Sequence, residues 1–414
     1  MTSIWKIGRL PSHGAAIRLT AALRTGPTRV VLSLGTTETL AWASTYYLPA
    51  ILAVPMARDI GVSANWVFAA FSVSMVISAL AGPLVGRTVD RGYGRGVLCA
   101  SNLAAAAGLV MLATAQGPVV IGLAWLVLGA AMSMGLYDAG FSVLTRLYGA
   151  AARGPITGIT LMAGFASTVG WPLSALFEAE LGWRGACLAW AALHLVLGLP
   201  LNRLVIPKPP PRPPAAAAAA GGSALADDPA PRHAMAVLAF VFACAWFSTG
   251  AMAAHLPRLL QEGGATATAA IAAGAMVGPA QVAARLIEIG LFRRWHPLVS
   301  AWVATLCHPL GAAVLLFFGA PAGAAFALLH GGGNGLLTIA RGTLPLAIFG
   351  PHGYGLRQGI LGVPARFAQA GAPLLFGLLL DGFGTAAVAF SAGLSLAAFA
   401  ALFLLRGTAR RRPA

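Results

Sequence analysis

Charge is scarce in this sequence, and negative charge most of all. The 414 residues include 11 Asp and Glu against 27 Lys and Arg, and charged residues make up only 9% of the chain. A soluble domain carries about 25% charged residues, so a water-soluble enzyme is excluded. There are four cysteines, Cys99, Cys187, Cys244 and Cys307, and none forms a C-x-x-C. That excludes a disulfide framework and a thiolate metal site, leaving small buried apolar residues. No G-x-x-x-x-G-K-[ST] occurs, so ATP does not drive the protein through a P-loop. No G-x-S-x-G, H-E-x-x-H or paired Cys/His spacing offers a hydrolytic or metal centre. No cofactor, no metal and no catalytic residue are expected. The first 28 residues carry Lys6, Arg9, Arg18 and Arg24 without the apolar stretch of a signal peptide, and read as a cytoplasmic tail.

Apolar residues are what the chain has in plenty: 58% of it is hydrophobic, with a mean hydropathy of +0.80. Apolar runs fall at about 30–52, 64–86, 96–115, 118–145, 155–177 and 185–206, then at 234–254, 266–289, 297–319, 321–341, 358–380 and 384–405. A bilayer span takes about 20 residues, so twelve fit with short loops to spare. The expected fold class is an all-α polytopic membrane protein with twelve transmembrane helices. With the N-terminus inside, every Lys and Arg except Arg58, Arg184, Arg258 and Arg366 falls in a tail, a cytoplasmic loop or an inner helix end. Asp59, Glu178, Glu180, Glu262 and Asp381 lean outward. The net charge of +16 therefore sets topology, with both termini cytoplasmic, and does not point to nucleic acid.

A Pro- and Ala-rich stretch at 207–233 divides the runs six and six. The expected organisation is a tail at 1–29, a six-helix half at 30–206, that cytoplasmic linker, a second half at 234–405 and a basic tail at 406–414. A weak repeat relates the halves. Ala41-Trp42-Ala43-Ser44-Thr45 recurs as Ala245-Trp246-Phe247-Ser248-Thr249, Gly82-Pro83 as Gly278-Pro279, and Gly170-Trp171-Pro172-Leu173 as Gly371-Ala372-Pro373-Leu374. Two parallel halves with a site between them at mid-membrane are a transporter design.

The loop after the second run reads Gly86-Arg87-Thr88-Val89-Asp90-Arg91-Gly92-Tyr93-Gly94-Arg95. It resembles the G-x-x-x-D-R-x-G-R-R signature of the major facilitator superfamily, with one extra residue before Gly94-Arg95. The resemblance covers about residues 30–405. It implies the two-halves fold of that family, with Gly86, Asp90, Arg91, Gly94 and Arg95 as a gate. Gly86 allows close helix approach, while Asp90 pairs with an arginine or caps the N-terminus of a neighbouring helix. It also implies that helices 1, 2, 4, 5, 7, 8, 10 and 11 line the central cavity. In the eighth run Gln281 and Arg285 lie one turn apart on one face. Monocarboxylate-type members of the family carry an acid and an arginine at that spacing, so the match is partial.

Ionisable side chains inside spans are costly and are functional candidates by default. Four stand out: Glu38, Asp138, Arg285 and Arg366. Glu38, Asp138 and Arg366 lie at a similar depth, about 12–13 Å from the inner helix ends. Glu38 or Asp138 is expected to carry a proton; the competing reading makes each a structural carboxyl, with Asp138 salt-bridged to Arg146 or another arginine. Arg366 would hold a substrate carboxylate, or pair with Glu38 or Asp138 across the halves. Arg285 would join the site, or else join the gate or snorkel to lipid phosphate. Trp42, Tyr46 and Trp246 would line an apolar pocket or pack helices. His330 and Asn334 flank Gly331-Gly332-Gly333, a run that allows either local unwinding or close helix contact. His194 and His308 fall on runs that the family places outside the cavity.

The reading these residues support is a secondary active transporter, proton-coupled, that moves a small organic solute such as a monocarboxylate by alternating access in the plasma membrane. Its partners would be that substrate, protons and lipid, with a functional monomer. Efflux of drugs or toxic compounds is the alternative; a non-transporting sensor or a membrane-embedded enzyme is remote.

Overall fold

The computed structural model describes residues 26–208 and 229–409; most of the expected N-terminal tail, nearly all of the linker and the last basic residues lie outside them. Among the described residues the chain is helical and contains no strand. The part before the linker forms α1 (Gly26–Ala41), α2 (Pro49–Ile60), α3 (Ala64–Thr88), α4 (Gly94–Thr114), α5 (Pro118–Gly135), α6 (Tyr137–Tyr148), α7 (Arg153–Ala163), α8 (Ala166–Leu193) and α9 (Leu199–Leu204). After the linker come α10 (Pro229–Glu262), α11 (Ala267–Ala275), α12 (Val277–Gly290), α13 (Pro297–Phe318), α14 (Gly323–Phe349), α15 (Tyr354–Phe383) and α16 (Val388–Leu402). Seven stretches of helix are long and apolar enough to cross a membrane; the longest, Pro118–Leu204, has 87 residues. At 1.5 Å per residue that is about 130 Å of helix, several bilayer thicknesses, folded back on itself. The turn back within α8 is made at Gly182, whose φ of 68° favours glycine.

The repeat has a structural counterpart in the caps. Ser63 accepts a hydrogen bond from the Trp66 amide at the start of α3, and Thr266 does the same for Ala269 at the start of α11. Each satisfies an orphan amide of a helix that follows a tight turn.

Several helices break in mid-course, and the breaks matter to the site. Between α1 and α2 the Tyr47 amide bonds to the Trp42 carbonyl at 3.0 Å, a widened i→i+5 turn. Leu136 is extended (φ −95°, ψ 179°), so α6 starts afresh in the middle of the bundle. α7 ends at Gly164 and α11 at Met276, and a new helix follows each. One sequence expectation needs correction. The run placed at 321–341 is a helix to Phe349, because the apolar Thr343-Leu344-Pro345-Leu346-Ala347-Ile348-Phe349 continues it. This helix is not among the seven apolar stretches, since His330, Asn334 and its glycines dilute its hydropathy.

The two parts meet most tightly at the end of the bundle that holds residues 85–97, 143–153 and 350–356, here the linker end. One apolar cluster there joins Val30, Leu34, Val85, Phe141, Ile156 and Ile206 to Leu346 and Tyr354 of the second part. At the opposite, far end the apolar clusters each belong to one part alone. Glycine makes the close approach possible. A Cβ on Gly86 would come 1.9 Å from the Gly355 carbonyl oxygen, and one on Gly359 would come 2.4 Å from that of Gly82.

Candidate functional site

At the centre of the bundle one carboxylate serves two guanidinium groups from the other half. Asp138 Oδ2 accepts from Arg341 Nη2 at 2.9 Å and from Arg366 Nη2 at 2.8 Å. The break at Leu136 puts Asp138 in the first turn of α6, where the positive end of the helix dipole favours a carboxylate. Arg366 also donates to Ser78 on α3. The Arg341 guanidinium carbon lies over the Trp246 ring, 4.5 Å from its centroid. The backbone at Arg341 is fixed by Gln358, whose Nε2 donates to the Arg341 carbonyl at 2.9 Å and to the Tyr354 hydroxyl at 2.7 Å. Arg341 and Arg366 are both buried. Of the two sequence alternatives for Arg366, the inter-half pair is therefore the geometry present, and its partner is Asp138.

Glu38 is fully buried on α1. Its Oε1 lies against Gly140, where an added Cβ would come within 2.1 Å. Among the described residues no arginine, lysine or histidine bonds to it. Aromatic rings close this side. Trp42 meets Tyr46 edge-on at 5.0 Å and Tyr137 at 5.1 Å, and Tyr46 meets Phe71 at 5.5 Å. Gln369 of the second half donates to the Tyr46 hydroxyl at 2.8 Å.

Arg285 departs from the lipid-facing alternative. It is 3% exposed and reaches into the first half, where a Cβ on Gly164 would lie 1.8 Å from its Nη1. Gly164 is the residue at which α7 ends, so the break makes the seat for the guanidinium. Nη2 donates weakly to Gln281 Oε1 at 3.4 Å, while Nε and Nη1 have no hydrogen-bond acceptor. Tyr47 and Tyr137 both meet the Trp42 ring, at 6.1 and 5.1 Å between centroids. A buried guanidinium with two donor nitrogens unused is costly unless something else takes them.

His330 and Asn334 sit beyond this centre on α14. Thr249 donates to Asn334 Oδ1 at 3.2 Å. The glycine run between them does not unwind; Gly331 packs on the backbone of Val277 and Gly333 on that of Ala304. His308, set aside in the sequence reading, contacts His330 at 2.9 Å. His194 bonds to Ser44 and Asn102 inside the first half.

The gate residues lie at the linker end. Asp90 accepts the Gly355 amide on Oδ1 at 2.9 Å and the Leu356 amide on Oδ2 at 2.8 Å. It caps the N-terminus of α15 across the halves, one of the two alternatives the sequence left open. Gly92 takes φ 98° to turn the loop. Gly94 packs on Val143, while Arg91 is exposed and Arg95 half-buried. A second link was not foreseen. Arg153 donates to the carbonyls of Trp295 (2.8 Å) and Phe292 (3.2 Å) and to Glu288 Oε1 (3.2 Å). Among the described residues, the far-end ion pairs, Arg184–Asp59 and Arg258–Asp381, each stay within one half.

Arg341, Ser78, Gln369, Tyr137 and Gly164 escaped the sequence reading. Ending the tenth run at 341 placed that arginine at the membrane edge; the apolar residues that follow it were the available signal. The helix breaks at Leu136 and Gly164 leave no proline or charge to read.

A bundle of kinked apolar helices in two related parts, closed at one end around a buried charged centre, has the build of a membrane transporter. The chain belongs to the Major Facilitator Superfamily, whose model matches residues 34–329. It is 28% identical over 369 residues to an uncharacterized 38 kDa protein in a 23S RNA operon of Thermoproteus tenax, covering 88% of this chain and 92% of that protein. Its fold is similar to the crystal structure of the human organic anion transporter MFSD10 (TETRAN). There the TM-score is 0.68 at 18% identity, with 91% of this chain and 98% of that chain covered.

Proposed function

We propose that this protein is a secondary active transporter of small organic anions, with monocarboxylates as the leading class, coupled to protons. Buried Arg285 with its two unused donor nitrogens carries the proposal. A carboxylate between Arg285 and the Tyr47 and Tyr137 hydroxyls would take one of the unused donors together with Nη2, the fork geometry that arginine suits. The centre holds Arg285, Arg341 and Arg366 against Asp138 and Glu38, an excess of positive charge that an anion offsets. The description of a structural relative as an organic anion transporter supports the same class. Because Asp138 is already held by two cations, Glu38 is the group assigned to carry the proton. Trp42, Tyr46 and Trp246 would shape the apolar side of the pocket.

Alternating access follows from the two ends. Asp90 and Arg153 close the linker end, which the arginine bias assigns to the cytoplasm, so the described state is closed inward. In this reading twelve helices cross the plasma membrane as two six-helix halves, 30–206 and 234–405, with both termini cytoplasmic and the monomer functional. The rival reading, efflux of drugs, draws on the ring cluster of Trp42, Tyr46, Phe71 and Tyr137 beside Glu38.

A ligand-stabilisation screen of the purified protein separates the two. Lactate, pyruvate and benzoate at about 100 times Kd should each stabilise by about 2.7 kcal/mol. That stabilisation should vanish in Arg285→Gln. Stabilisation by lipophilic amines alone would favour efflux and overturn the anion reading.

A further inference from the structure

A second polar site lies inside the C-terminal half. A cavity of about 30 Å³ is lined by Ser248, Thr249, Thr305, His330, Asn334 and Ser395, among others. A water needs about 10–15 Å³ by this measure, so there is space for about two, with hydroxyl partners around them. The hydrogen bonds on one wall fix a direction. Ser391 Oγ donates to the Val388 carbonyl at 3.0 Å, so it is left to accept from His308 Nε2 at 2.9 Å. His308 Nδ1 is then a lone pair and accepts from His330 Nδ1 at 2.9 Å. With His330 Nδ1 as the donor, His330 Nε2 is the acceptor left over on the neutral ring. It makes no hydrogen bond among the described residues, while His330 itself is 5% exposed.

The position of the cavity gives that acceptor a use. His330, Asn334, Leu337 and Arg341 form one stripe of α14, and the first three line the cavity. Seven residues separate Asn334 from Arg341, about 10 Å of helix. His330 is seven residues from the start of α14 at the far end. The cavity therefore stands between the far end and the Asp138–Arg341–Arg366 cluster, within one half and not between halves. The repeat-equivalent of Ser248 in the first half, Ser44, instead bonds directly to His194, whose other ring nitrogen bonds to Asn102.

We propose that this cavity is a hydrated proton-relay site, with water as its ligand and His330 Nε2 as the proton acceptor, serving far-end proton entry to the central carboxylates. The inference rests on the proton-coupled reading above. In the step, a hydronium in the cavity gives a proton to His330 Nε2, and the imidazolium gives it back to water on the side of Asn334 and Thr249. No bond other than N–H and O–H changes. Of the titratable groups on the packed elements, His308 of α13 lines the cavity, Cys307 packs on Gly333, and Cys244 of α10 lies one turn from Ser248. Arg285 and Glu288 of α12, His255, Arg258 and Glu262 of α10, and Arg341 of α14 stand farther along their helices. α12 packs Val277 and Ala280 against Gly331, and α16 presents Ser391 and Ser395.

Two measurements on the full chain test it. The first is nitrogen NMR of ring-labelled histidine in nanodiscs, with His330→Asn and His308→Gln for assignment. His330 should carry its proton on Nδ1, His308 on Nε2, and the His330 ring should show a cross-peak to water. A proton on His330 Nε2 or a dry ring would overturn the relay whatever the protein transports. The second uses proteoliposomes and lactate as probe. His330→Asn keeps a donor to His308 without an acid–base group, and should slow pH-driven uptake about 100-fold while lactate exchange stays near wild type. Ala398→Val, which fills the cavity and leaves both histidines in place, should do the same. Unchanged pH-driven uptake in both variants would reject the relay. Failure of wild type to move lactate or any acid would instead count against the transport reading, leaving the NMR result to decide the site.

Discussion

Neutralising Asp138 tests the charged centre most sharply. The two guanidinium groups reach one oxygen at 2.8 and 2.9 Å, and their side chains are 9% and 5% exposed. Asp138→Asn leaves two buried cations facing each other without an anion, a change expected to cost about 3–5 kcal/mol. Arg366→Gln should cost less, about 1–3 kcal/mol, because Arg341 still holds Asp138. In the double mutant the loss of Arg366 removes part of the penalty that Asp138→Asn creates. The double-mutant cycle should therefore show a coupling of about 1.5–3 kcal/mol. Reversible unfolding of the four proteins in mixed detergent micelles measures it. Additivity within about 0.5 kcal/mol would mean that the two residues do not share a pair, and the description of the centre would fall.

The linker end carries further tests. Gly86→Val drives a side chain into the Gly355 carbonyl, 1.9 Å from the new Cβ; overpacking of about 1–3 kcal/mol should open that end, seen as a longer spin-label distance between Arg91 and Arg357. Asp90→Asn should leave expression intact and slow transport, since it weakens the cap on α15 and touches no substrate group; a normal rate would remove Asp90 from the gate. Glu38→Gln should abolish pH-driven accumulation and spare exchange; if accumulation survives, the proton is carried elsewhere. Trp246→Ala removes a buried core ring as well as the face beneath Arg341 and should cost about 3–5 kcal/mol in the same unfolding assay; an equal loss in an Arg341→Gln background would mean that the ring packs the core without holding Arg341.

The residues that could be read in the sequence were those that violate the chemistry of a membrane span. Glu38, Asp138, Arg285 and Arg366 announce themselves because a charge among apolar residues is conspicuous, and Asp90 because its loop has a recognisable spacing. Pairing is another matter. Asp138 and Arg366 are 228 residues apart, and depth along a helix narrows the choice of partner without fixing it. Arg341 was hidden by its place at the end of the run drawn at 321–341, whereas the helix continues to Phe349. Gly164 could not have been read at all; its part is to leave room, and a glycine in a Gly-rich chain gives no sign of what fills the space. The same holds for the glycine run at 331–333, where both readings were open and helix packing prevails.

The central claim is that Arg285 binds a carboxylate that crosses the membrane with a proton. Uptake of labelled lactate into proteoliposomes under an imposed pH gradient, wild type beside Arg285→Lys and Arg285→Gln, measures it directly. A one-unit gradient supports about tenfold accumulation for one proton per substrate. The account predicts that wild type approaches this, that Arg285→Lys binds more weakly, and that Arg285→Gln accumulates nothing while remaining folded and in the membrane. Accumulation by Arg285→Gln equal to wild type would contradict it.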